Sequence, residues 1–210
     1  MSQTMNQGQQ VAGENMDNTR IFKNDFLEIL TYTSFPLHVA FYGGLSLLFY
    51  AVGVRFSEVS ALRGAGYWIG GLLLWTFLEY LLHRFVFHFV NENKYVQKFH
   101  FIFHGVHHNY PHEEKRTMMP PSGGVLFISL FLAICYLIWG VNGIFVCGGI
   151  VFGYLCYSGL HYCIHMFKAP KFLQPLWTHH LLHHYKDDEN AFGVSNRFWD
   201  RIFGTMPKKK

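Results

Sequence analysis

Four stretches of this chain constrain its fold more than anything else in it. Residues 36–54, 65–82, 122–140 and 143–160 are almost continuously apolar. Each has close to the length that crosses about 30 Å of hydrocarbon as a helix, the one open-ended element that satisfies its own backbone there. The last two carry no charge and are separated by only Val141 and Asn142, which predicts a tight antiparallel hairpin. Overall the chain is 50% hydrophobic and 14% charged, and the charges collect at the flanks of the apolar stretches. The expected class is therefore an all-α integral membrane protein with four transmembrane helices.

Four crossings put both termini on one side. Of the 17 Lys and Arg, only Arg55 and Arg63 fall in the connection between the first two stretches, and the hairpin turn holds none. The other 15 share the opposite side, so the positive-inside rule predicts that both termini and the long 82–122 connection are cytoplasmic. Residues 1–19 are polar, without an apolar signal core, and read as a disordered lead. Residues 20–30 read as an amphipathic helix on the membrane surface: Asp25 and Glu28 have capping-box spacing, and Phe22, Phe26, Ile29 and Leu30 form one stripe. One domain over 20–205 is expected, then a basic tail, 206–210. Phe192, Phe198, Trp199, Ile202 and Phe203, interleaved with Arg197 and Arg201, suit either the membrane surface or packing over the cytoplasmic face. Cys135, Cys147, Cys156 and Cys163 form no CxxC pair and read as small buried packing residues. No basic run interleaved with stacking aromatics favours nucleic acid.

The chemistry lies in the histidines. His104, His107 and His108 repeat the i, i+3, i+4 spacing of His180, His183 and His184, which puts each set on one side of a helix. His83 with His88 follows the second apolar stretch, and His161 with His165 follows the fourth. His161 and His165 share a helix face. His83 and His88, five apart, do not, so the helix ends or distorts between them or they reach different metals. A structural zinc takes about four ligands; ten imidazoles suit two metals with about five each, leaving a position open for oxygen or water. Such nitrogen sites suit iron, and zinc binds them as well. His100 and His179 stand beside the sets as lesser candidates, while His38 and His112 read as surface or interface residues. Glu79 either fixes the tautomer of a ligand histidine or is a helix-paired carboxylate at the membrane edge.

HRFVFH at 83–88, HGVHH at 104–108, MPP at 119–121, HYCIH at 161–165, HHLLHHY at 179–185 and FGVSNRFWDRIFGT at 192–205 together resemble the fatty acid hydroxylase superfamily. This superfamily of membrane di-metal oxygenases includes the sterol desaturases, and the chain is most similar to the fatty acid 2-hydroxylase branch over about residues 20–205. The resemblance implies two iron ions held by His83, His88, His104, His107, His108, His161, His165, His180, His183 and His184. It further implies O2-dependent hydroxylation of a fatty acyl chain at the carbon next to the carboxyl group. An apolar cavity would align the chain, with Phe101, Phe103, Met118 and Met119 as candidate walls. Two departures stand out. Ser158 occupies a position where the family often has Asp, and the roughly 20 polar residues before the match carry no HPGG motif of the haem domain fused to eukaryotic members. Electrons are therefore expected from a separate b5-type or ferredoxin-like donor with its reductase. Sterol or carotenoid hydroxylation and desaturation remain open within the family; a metal-dependent hydrolase or metal transporter is the reading from outside it.

Overall fold

The structure is a computed structural model and describes residues 19–207. The expected lead, apart from Thr19, and the terminal Lys208, Lys209 and Lys210 lie outside the described residues. Helix α1 (Asp25–Ile29) is followed by two long helices, α2 (Phe35–Phe56) and α3 (Ala61–Leu82). Short α4 (Lys94–His100) and α5 (Val106–Asn109) lead to α6 (Pro121–Trp139) and α7 (Gly143–Met166), and α8 (Gln174–Tyr185) and α9 (Phe198–Phe203) close the chain. Among the described residues there is no strand.

The four long helices form an up-and-down bundle with α7 at its centre. Along α7, Gly149 and Gly153 meet Trp68 and Trp75 of α3 in ascending order, while Gly148 and Leu155 meet Ser46 and Gly43 of α2 in descending order. Helix α3 thus runs parallel to α7, and α2 antiparallel. The approach to α3 is close: a Cβ at Gly149 would lie 1.9 Å from the Trp68 carbonyl oxygen, and one at Gly71 would lie 2.0 Å from that of Val146. Small residues that let backbones touch are how helices associate where lipid removes the hydrophobic drive. Polar side chains add to it: Trp68 Nε1 donates to Ser46 Oγ at 3.1 Å, and Ser46 Oγ donates to the Gly148 carbonyl at 2.8 Å. The expected hairpin is present. Gly140, at φ +57°, turns the chain between α6 and α7, and Gly143 sits against the Cys135 carbonyl.

Three helical stretches are long and apolar enough to cross a membrane: Phe35–Phe56, Ala61–Phe87 and Glu114–Met166. The third, 53 residues long, contains both α6 and α7. Helix α7 runs on to Met166, beyond the expected end at 160, and so carries His161 and His165 on its last turns. Since α3 and α7 end where α2 and α6 begin, all four histidine clusters collect at one end of the bundle.

Some expectations are corrected. The surface helix is five residues long, not eleven, and no capping box forms. Asn24 caps it by accepting the Leu27 N–H at 3.1 Å. Glu28 turns inward, accepts the N–H groups of Ile21 and Phe22, and forms a buried ion pair with Arg116. Cys135 and Cys147 are buried as expected, but Cys156 is exposed. His38 is fully buried rather than superficial and bonds Ser158 Oγ at 2.7 Å.

Candidate metal centre

Two π-helical turns prepare the site. Past α3 the helix widens over His83–Phe87, and the His88 N–H bonds the His83 carbonyl at 3.1 Å. An i→i+5 turn of this kind places residues five apart on one face, and π turns of one cycle are frequent at functional sites. His83 and His88 accordingly face each other at 5.0 Å between ring centres. A second π turn, Phe101–Gly105, joins α4 to α5 and delivers His104, His107 and His108.

The ten histidines converge as two groups of five, with the candidate ligand atoms of each group within 4.8 Å of one another. His83, His88, His104, His108 and His183 form the first; His107, His161, His165, His180 and His184 form the second. Each triplet is shared between the two. At about 100° per residue, i and i+4 lie some 40° apart, while i+3 lies about 60° to the other side of i. His104 with His108 therefore enters one group and His107 the other; His180 with His184 parts from His183 in the same way. The groups abut, with the rings of His108 and His184 stacked at 4.1 Å.

The ring nitrogens themselves test whether metals fit. His83 Nδ1 donates to the Phe192 carbonyl and His183 Nδ1 to the Asn190 carbonyl, so both Nε2 atoms carry bare lone pairs. His83 Nε2 lies 3.1 Å from His104 Nε2, and His183 Nε2 lies 3.0 Å from His88 Nε2. If His104 and His88 each answered with a hydrogen, those hydrogens would collide, because their own Nε2 atoms are 2.9 Å apart. In the second group His165 Nε2 faces His161 Nε2 at 3.2 Å and His180 Nε2 at 3.0 Å, which one hydrogen cannot serve. Converging lone pairs of this kind fit a cation in each group.

Burial works in the same direction. It holds His104, His107, His108, His180 and His184 well below the ordinary histidine range, and the neighbouring imidazoles add to the effect. His183 is lowered by burial and partly restored by its bond to Asn190. Neutral imidazole is the form that ligates a metal.

The remaining candidates have other roles. Glu79 does not reach a histidine; its carboxylate accepts the N–H groups of Val194 and Ser195 at 2.7 and 2.8 Å, and the Ser195 hydroxyl. His179 is buried against Asp200 at 3.0 Å, and His100 Nδ1 donates to the Phe87 carbonyl. His112 is exposed, and its Nδ1 donates to the His165 carbonyl at 3.0 Å. Ser158, at the departure from the family pattern, bonds His38 and the Leu155 carbonyl. A narrow apolar cavity descends from His83, Phe87 and Met119 between the long helices to Ile150, Val151 and Phe131. Of the four expected walls only Met119 lines it; Phe101, Phe103 and Met118 do not. Asp200, Asn190 and Phe192 support the site without a recognisable signal in the sequence, since two of them act through backbone carbonyls.

Comparison with known proteins agrees with this geometry. The Fatty acid hydroxylase family model matches residues 68–205. A ceramide very long chain fatty acid hydroxylase of Saccharomyces cerevisiae is 38% identical over 86% of this chain and 48% of its own length. The chain thus spans about half of that relative. A dihydroceramide fatty acyl 2-hydroxylase of Arabidopsis thaliana is 32% identical, over 91% of this chain and 81% of its own length. The solved structure of full-length scs7p, with only its hydroxylase domain visible, superposes with a TM-score of 0.80 at 32% identity, covering 88% of this chain and 70% of that one. With the match running from the middle of α3 through the whole histidine cap, the chain belongs to the fatty acid hydroxylase family.

Proposed function

We propose that this chain is a membrane di-iron oxygenase that hydroxylates a fatty acyl chain at the carbon next to its carboxyl group, the acyl chain being part of a ceramide-type lipid. The observation that carries the reading is the apolar cavity ending at His83, at the edge of the first five-histidine group. The ten histidines hold the metals, and zinc is an alternative occupant of the same nitrogen sites. When bound, the metals supply what no side chain can: reductive activation of oxygen and removal of hydrogen from an unactivated C–H bond.

The chain's own residues do the positioning. From Ile150 to His161, α7 rises about 16 Å, which gives an acyl chain that much depth below the site. Val151, Phe131 and Trp75 line the descent, exclude water and hold the chain in one orientation. Tyr157 lines the cavity and stacks on His161, with ring planes 6° apart. We place α2, α3, α6 and α7 across the membrane, with the histidine cap and both ends of the described chain in the cytoplasm, where a separate electron carrier and its reductase reach it.

Oxygen labelling tests the reaction. The purified protein, given iron, an electron carrier with reductase, and a ceramide under heavy oxygen gas, is expected to return a 2-hydroxyacyl product carrying the label. Label drawn from water would end the oxygenase reading. A product lighter by two hydrogens would keep the site and change the reaction to desaturation.

A further inference from the structure

Building on the two-metal reading above, we infer that the two metal positions are unequal. The position of His83, His88, His104, His108 and His183 is pre-oriented by a carboxylate-held peptide segment and retains its ion more tightly than its neighbour.

The segment is residues 190–195. Four consecutive backbone N–H groups end on two buried carboxylates: those of Phe192 and Gly193 on Asp200, at 2.9 and 2.8 Å, and those of Val194 and Ser195 on Glu79, at 2.7 and 2.8 Å. Asp200 is itself held by Thr205 Oγ1 at 2.7 Å and His179 Nε2 at 3.0 Å. Between the anchors and the site Ala191 is left-handed at φ +63°, which a residue with a Cβ adopts only where its surroundings impose it. Its N–H is tied to the Thr205 carbonyl at 2.8 Å. The carbonyls on either side of Ala191, those of Asn190 and Phe192, accept from His183 Nδ1 and His83 Nδ1. Two ligands of one group thus have tautomer and ring orientation set by a peptide that cannot rotate.

Among the described residues, the other group has less of this support. The Nδ1 atoms of His165 and His180, and both ring nitrogens of His107 and His184, are buried and meet no protein hydrogen-bond partner. Among the described residues, the member of this group with a main-chain neighbour of this kind is His161, at Thr117. Among the described residues, no ring nitrogen of the first group is left buried and unpartnered. Removing an outer-shell partner of a ligand histidine typically weakens metal binding 10- to 100-fold. Glu79 and Asp200 are positioning residues in this scheme, two bonds removed from the metal.

The test reads metal retention and needs no turnover. The full chain in lipid nanodiscs is loaded with zinc as probe, challenged with increasing chelator, and assayed for zinc per chain. Release in two steps is expected, with a plateau near one zinc per chain and the second step needing at least about 10-fold more chelator. His184→Ala should keep the tight ion and His183→Ala should abolish the plateau. Glu79→Gln and Asp200→Asn should move the tight step about 10- to 100-fold toward the loose one and leave the loose step in place. Thr205→Val, which removes one bond to Asp200, should give a smaller shift of the same sign should either of those variants fail to fold. Single-step release from the unsubstituted chain, a plateau surviving His183→Ala, or equal weakening of both steps by Glu79→Gln would each overturn the inference. No zinc uptake at all would instead bring down the ligand assignment beneath it.

Discussion

A ligand histidine must be neutral, and in this cap burial is what keeps it so. The folded chain lowers His104, His107, His108, His180, His183 and His184 below their ordinary values. Between the folded values and about 6.5 the unfolded chain binds more protons than the folded one, so folding weakens as pH falls below about 6.5 and is indifferent to these groups above it. The metal-free protein is therefore expected to unfold at lower temperature at about pH 5.5 than at about pH 7.5, which a thermal melt at the two values reads. A flat profile would mean that the rings are solvated and not buried. Substitution separates the candidate ligands from their neighbours: each of the ten histidines changed to Ala should lower metal content, while His112→Ala should leave it intact because His112 bonds the carbonyl of His165 and the hydroxyl of Tyr185 and sends no ring nitrogen into either five-histidine group. All ten candidates were legible from spacing, and they are the ten that gather into the two groups. Their division was not read from it, although the helix angles contain it, because the sequence does not say where two metals sit around a helix. The role of Glu79 was illegible for a plainer reason. Its partners are two backbone N–H groups 115 and 116 residues away and the Ser195 hydroxyl, and neither backbone donors nor one distant serine make a pattern to recognise.

Helices α3 and α7 fix the distance between His83 and His161, and their glycines set that distance. Gly149 and Gly71 let the backbones touch, so a methyl group at either pushes the helices apart and displaces both histidine groups. Gly149→Ala is expected to cost about 1–3 kcal/mol of stability, the usual range for overpacking, and to lower metal content with it. Gly70→Ala, one residue from Gly71 but with open space around its Cβ, is the control. There the gain in helix propensity, up to about 1 kcal/mol, should leave stability level or slightly raised. Equal melting temperatures for the two variants would show that the glycine contact does not hold the bundle. The long helices were legible because hydrophobic length alone demands them. The π turn at His83–Phe87 was legible only as a conflict, two ligands five apart on what should be an α-helix; the backbone resolves it by widening for one turn.

At the scale of the whole molecule the bundle and the charges tell one story from independent sides. The packing order along α7 brings the ends of α3 and α7 and the starts of α2 and α6 to one end, and every histidine cluster is there. The basic residues divide the same way: Arg55 and Arg63 lie in or beside the Ser57–Ser60 connection at the far end, and the other 15 flank the histidine end or follow it in sequence. Positive charge in short loops resists translocation, so the histidine end should face the cytoplasm. Reporters fused after Gly64, Ser122 and Lys210 read this directly. The first should report from outside and the other two from the cytoplasm. If the 53-residue stretch holding α6 and α7 entered and left the bilayer as anything but two crossings, a pair of reporters after Trp139 and Met166 would agree where they should differ. An external signal after Ser122 would put the ten histidines on the wrong side of the membrane for a cytoplasmic electron carrier. The site could then stand, but its source of electrons would have to be sought outside the cell membrane's inner face.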